Sequence, residues 1–119
     1  MRDSGAPVCV GLDPVWDRLP AALRGGTTAP TAAQAADAFT QFSLGVLEAV
    51  RPFTRCVKPQ SACFERYLWP GVKSYHDVVA AAQHMGFIVI GDGKRGDIGI
   101  SAEHYAAGCL ADTTYADLA

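Results

Sequence analysis

The chain has 119 residues, half of them apolar, and a formal net charge of −2. That length suits one domain of moderate size, and the composition is that of a soluble globular protein, which excludes a disordered tail or a polyelectrolyte binder. There is no basic patch with interleaved aromatics to engage nucleic acid. The start, Met1 to Pro7, lacks the apolar core of a signal peptide and no run reaches membrane-spanning length, so the expectation is a cytoplasmic protein without a membrane partner.

In chain order, Val8-Cys9-Val10-Gly11-Leu12 reads as a short strand halted by Asp13-Pro14. A Gly/Pro/Thr-rich connection from Arg24 to Pro30 leads to a helix predicted over Thr31 to Val50, with Thr28 as its cap and Pro30 in its first turn. Its apolar positions Ala35, Phe39, Phe42, Val46 and Val50 recur at three- and four-residue steps, and Pro52 prevents extension. A second strand, Arg55 to Lys58, stops at Pro59. After a loop holding Phe64, Tyr67 and Trp69, a helix is expected from about Val72 to Met85, with Tyr75, Val78, Val79, Ala82 and Met85 facing inward. Gly86 stands where a left-handed C-cap residue belongs. Phe87 to Ile90 forms the third strand. A third helix begins near Ser101, capped by its hydroxyl, and reaches about Leu110, while residues 111–119 have no assigned element.

The order is thus β-α-β-α-β-α, with β-branched runs fit for strands buried on both faces. A parallel sheet in an α/β fold accounts for it. In such a sheet the C-terminal strand ends open onto one face, where ligands bind. Asp13 ends the first strand, Lys58 ends the second, and Asp92, Lys94 and Asp97 follow the third at a D-x-K-x-x-D spacing. Two lysines among three aspartates form an alternating charge array that stays ionised while partly desolvated. Each member also has a plainer reading. Asp13 before Pro14 suits a turn, Lys58 suits a lysine snorkelling past a strand end, and the last three suit a solvated loop with one salt bridge.

Other residues offer less. Cys9, Cys56, Cys63 and Cys109 contain no C-x-x-C pair, fit neither a zinc site nor a disulfide framework, and are read as structural. His76, His84 and His104 fall in predicted helices without a second ligand at metal spacing. Gly91-Asp92-Gly93-Lys94-Arg95-Gly96 matches the G-x-G-x-x-G of a dinucleotide-binding module, an alternative function. That fingerprint belongs to a first βα turn with a helix starting inside it, however, and it gives no reason for the flanking aspartates.

Three segments carry a closer resemblance: Cys9 to Pro14 (CVGLDP), Val57 to Glu65 (VKPQSACFE), and Gly91 to Gly99 (GDGKRGDIG) continuing through Ser101-Ala102-Glu103. At these residues the sequence resembles the orotidine 5′-monophosphate decarboxylases, in the subgroup found in mycobacteria and many other bacteria. The resemblance implies a (β/α)₈ barrel, here its first three βα units within one domain over residues 1–119. The implied reaction converts orotidylate to uridylate and CO₂ in pyrimidine synthesis, without a metal or organic cofactor. By motif position Lys94 is the implied proton donor, Asp92 lies beside the substrate carboxylate, Lys58 holds the array and Asp13 binds a ribose hydroxyl. Asp97 and Ile98 are implied to reach the neighbouring subunit's site in a homodimer, with Ser101 as a ribose contact across the same interface.

The related 3-keto-gulonate-6-phosphate decarboxylases and hexulose-phosphate synthases share D-x-K-x-x-D but use Mg²⁺, and they lack a lysine after the second strand. Lys58 favours the orotidylate enzyme. A closed barrel of this kind needs roughly 200 residues or more. The family's pyrimidine-recognition serine and its phosphate-gripping glutamine and arginine have no counterpart in this sequence, and the stretch from Asp112 to Ala119 does not match a fourth strand. The expectation is therefore the N-terminal part of a decarboxylase, inactive alone, with a non-catalytic fragment as the alternative.

Overall fold

The computed structural model describes residues 7–110. The elements run β1 (Cys9–Leu12), a 3-10 turn (Trp16–Arg18), α1 (Ala21–Arg24), α2 (Ala32–Val50), β2 (Cys56–Pro59), α3 (Ser61–Glu65), α4 (Leu68–His84), β3 (Ile88–Val89) and α5 (Gly99–Leu110). The strands form one parallel sheet in sequence order, β1-β2-β3. These are three successive βα units, the α/β arrangement expected of a partial barrel. The stretch from Asp112 to Ala119 lies outside the described residues.

Several boundaries differ from the sequence reading for local reasons. The cap of α2 is Thr31 rather than Thr28: its hydroxyl accepts from the Gln34 N–H, and the Gln34 side chain accepts from the Thr31 N–H. That reciprocal pair satisfies two donors that a helix start leaves unpaired. The buried stripe of α2 is Ala35, Ala36, Ala38, Phe39, Ser43 and Leu47, whereas Phe42, Val46 and Val50 sit at its margin. The loop expected after β2 contains α3, and α4 starts four residues earlier than expected. Gly71 permits this, because a Cβ there would stand 1.9 Å from the Phe64 carbonyl oxygen. Gly86 does close α4 in the left-handed region, at φ 88°. The Gly86 and Phe87 N–H groups donate back to the Gln83 and Ala82 carbonyls. Ser101 does not cap α5, which begins instead at Gly99, φ 57°.

Alternation along the strands sends Leu12, Val57, Pro59 and Phe87 to one side of the sheet, where α2, α3 and α4 cover them. Edge-to-face contacts link Phe39 to Phe64 and Tyr67, and Phe64 to Tyr75, at centroid separations of 5.2 to 5.8 Å. Helices α2 and α4 approach closely through small residues: Ser74 donates to the Ala36 carbonyl and meets the Thr40 hydroxyl at 2.7 Å. The strands are not buried on both faces as expected. The opposite face of the sheet is open, with Ile88 66% and Ile90 48% exposed.

Candidate active site

The open face is ordered in rows by the strand register. Cys9 lies beside Cys56, which lies beside Ile88; Gly11 lies beside Lys58. Beyond the strand ends, Gln60 pairs with Asp92 in an isolated parallel bridge. Backbone bonds fix this end of the sheet: Gln60 N–H donates to Leu12 C=O, Asp92 N–H to Pro59 C=O, and Ser61 N–H to Asp92 C=O. Asp92 is therefore held by its own peptide groups. Its carboxylate meets Lys58 Nζ at 2.5 Å.

The pair is about one-third exposed on each side. The Lys58 hydrogen bond holds the Asp92 carboxyl below its ordinary value, and the charges of Lys58 and Lys94 act in the same direction. Lys58 is raised, first by that bond and then by the charges of Asp92 and Asp13, against an opposing desolvation. Asp13 reaches the same face. Its carboxylate oxygen lies 2.7 Å from where a Cβ on Gly11 would stand, so the glycine makes room for it.

Lys58, Asp92 and Asp13 are thus brought together as the sequence predicts, and Lys94 is near enough to act on Asp92. Lys94 lies exposed in the loop from Gly91 to Ile98. Asp97 is exposed as well and accepts the Ile98 N–H at 2.8 Å instead of joining the ion pair. Ile98 is 85% exposed and Ser101 half-buried. The loop also departs from a dinucleotide-binding turn, since α5 starts three residues beyond Gly96 rather than within the glycine pattern.

A brace on this loop escaped the sequence reading. Arg95 pairs with Glu65 of α3, donates to the Lys94 carbonyl at 2.9 Å, and places its guanidinium over the Tyr105 ring of α5. The peptide carrying Lys94 is thereby tied to α3 and α5. Glu65 stood in a recognisable motif, but nothing in its spacing announced Arg95 thirty residues away. A second feature missed was the apposition of Cys9 and Cys56. The repeated Cys-Val dipeptide that opens both strands was the available signal. Cys9 is raised, first by desolvation and then by its contact with Cys56, with Lys58 working the other way.

Among the described residues no cluster of three or more His, Cys, Asp or Glu side chains could hold a metal ion. His76, His84 and His104 are all exposed. A cleft of about 210 Å³ between Trp16, Phe39, Cys63 and Tyr67 includes none of the site residues.

No protein-family model matches the chain. It is 43% identical over 103 residues to the orotidine 5′-phosphate decarboxylase of Rhodopirellula baltica, a match covering 87% of this chain and 34% of that one. Its identity to the enzyme of the same name from Deinococcus radiodurans is also 43%, over 112 residues, covering 92% of this chain and 35% of the relative. A crystal structure of an orotidine 5′-phosphate decarboxylase candidate from Streptomyces avermitilis superposes with a TM-score of 0.65 at 35% identity, over 86% of this chain and 33% of that one. The chain spans about a third of the length of the curated relatives it matches.

Proposed function

We propose, on the premise that the chain is a relative of the orotidine 5′-phosphate decarboxylases, that its open sheet face is the charge-array portion of a site that decarboxylates orotidylate to UMP. The observation that carries the reading is the Lys58–Asp92 pair at the C-terminal strand ends, with Lys94 close enough to act on Asp92. Departure of CO₂ leaves an electron pair at C6 of the pyrimidine with no conjugated sink. A fixed ammonium stabilises that charge as it develops and then supplies the proton, which is the role assigned to Lys94. Asp92 lies beside the substrate carboxylate, and Lys58 keeps Asp92 ionised. Asp13 takes a ribose hydroxyl.

Asp97, Ile98 and Ser101 are assigned to the site of a second subunit in a homodimer. The exposure of Asp97 and Ile98 suits that assignment. The chemistry asks for no metal and no organic cofactor. The array is fully effective only where water is excluded, and three strands leave it open on one side. Activity is accordingly assigned to a closed barrel containing this segment, located in the cytoplasm, and not to the 119 residues alone.

The test replaces the corresponding third of a full-length relative with this segment and follows orotidylate consumption. We expect the chimera to turn over in the presence of a metal chelator. Lys94→Ala should lower kcat by about 10²–10⁴-fold, the usual worth of a positioned acid. Undiminished activity in that variant would remove Lys94 from the chemistry. A strict Mg²⁺ requirement would instead favour the metal-dependent relatives. Turnover by the 119-residue chain itself would overturn the assignment of activity to the closed barrel.

A further inference from the structure

We propose that Cys9 and Cys56 form a two-thiol modification site, which a low-molecular-weight disulfide converts to an intramolecular Cys9–Cys56 disulfide across β1 and β2. The inference is independent of the decarboxylase reading. The two residues are direct partners in the parallel register, and the Cys56 thiol donates to Cys9 Sγ at 3.1 Å. Adjacent strands lie about 4.8 Å apart, within the roughly 4.4–6.8 Å between Cα atoms that a disulfide spans. The sulfurs need to close by only about 1 Å to reach a bond length of about 2.05 Å.

The register at this end of the sheet is pinned. The buried Thr54 hydroxyl donates to the Val8 carbonyl at 2.6 Å and accepts the Cys56 N–H at 3.1 Å, so one side chain ties the residue just before β1 to the first residue of β2. Reagent reaches the pair from the open face, where Cys9 is exposed and Cys56 half-buried. The other free cysteines, Cys63 and Cys109, stand on other elements, α3 and α5.

The reaction balances as two exchanges. The deprotonated Cys9 sulfur attacks a reagent RS–SR, forming a mixed disulfide and releasing RS⁻, which takes up the proton that Cys9 gave up. Cys56 then attacks the Cys9 sulfur and displaces the second RS⁻, which takes up the Cys56 proton. The two protein thiols lose two electrons, the reagent gains them, and two RSH leave. Cys56 lies two residues before Lys58 on the same face, so the modification occurs beside the charge array.

The experiment treats the reduced 119-residue chain, diluted to a concentration at which it sediments as a monomer so that the open face is uncovered, with oxidised glutathione. It then quenches with acid and maps disulfides by non-reducing proteolysis and mass spectrometry. Lys58 precedes Pro59, so tryptic cleavage leaves Cys56 and Cys63 on one peptide, and the Cys63→Ser variant is mapped alongside. A predominant link between Cys9 and Cys56, with the loss of two hydrogens, is expected in both. Separate glutathione adducts at the two positions, or links to Cys63 or Cys109, in a chain whose circular dichroism shows it folded, would overturn the proposal. Phenylarsine oxide supplies a second reading on the Cys63→Ser/Cys109→Ser variant. Bridging of the remaining pair by one arsenic supports the site, and failure to bind counts against it.

Discussion

Asp92 owes its position to backbone and its charge state to Lys58. The peptide groups of Asp92 bond to Pro59 and Ser61, so the carboxylate is delivered to Lys58 by the sheet. The pH dependence follows from the directions of the two shifts. A carboxyl lowered on folding contributes stability above its unfolded value of about 3.9 and loses it as pH falls through the lower folded value. A lysine raised on folding contributes below its unfolded value of about 10.4 and loses it as pH rises through the folded one. The pair therefore stabilises the chain in the broad window between those limits. Its one-third exposure keeps the effect small. Asp92→Asn should lower the urea midpoint modestly at neutral pH, and the gap from wild type should close in acid below the folded value. A gap that persists there would mean that the substitution acts through the backbone at Asp92 and not through its charge.

Elements are held by a few close approaches, and two glycines separate packing from propensity. A methyl on Gly71 meets the Phe64 carbonyl, which α4 cannot avoid without leaving α3. Gly71→Ala should cost about 1–3 kcal/mol, the range for overpacking, and more if α3 is displaced. Gly45 lies exposed within α2, and a methyl added there would meet nothing within 4 Å, so Gly45→Ala should stabilise by about 0.5–1 kcal/mol. Denaturant midpoints of the two variants should move in opposite directions, and equal effects would contradict the packing account. The same elements show what the sequence made legible. Alternating apolar runs and Gly86 identified three strands, two long helices and the end of α4, because each is a local, periodic signal. The convergence of Asp13, Lys58 and Asp92 followed from parallel topology alone. What stayed hidden depended on contacts between distant segments. Ser43 replaced Phe42 in the buried stripe of α2, α3 arose among aromatics that read as a loop, and Arg95 found Glu65 only once α3 and the β3–α5 loop were neighbours.

For the molecule as a whole, the controlling fact is that, among the described residues, the sheet is covered on one side. Helices α2, α3 and α4 bury Leu12, Val57 and Phe87, while Ile88 and Ile90 share the opposite face with the cysteine pair and Lys58. Exposed apolar side chains beside unpaired strand edges favour association with another apolar surface. With no other partner in solution, a second copy of the chain is the available cover. Ile88 is 66% exposed, so covering it contributes about 1–2 kcal/mol, and a two-fold dimer counts the residue twice. Ile88→Lys should therefore weaken self-association by at least about 25-fold, given about tenfold per 1.4 kcal/mol. Ile88 is the suitable position because it stands in the row of Cys9 and Cys56, away from Lys58 and Asp92. Sedimentation velocity over a concentration series checks this. The wild-type chain should sediment faster as concentration rises, and Ile88→Lys should remain monomeric over the same range. If both associate equally, the contact uses another surface, such as Leu68 and Trp69 at the start of α4, which are 73% and 69% exposed.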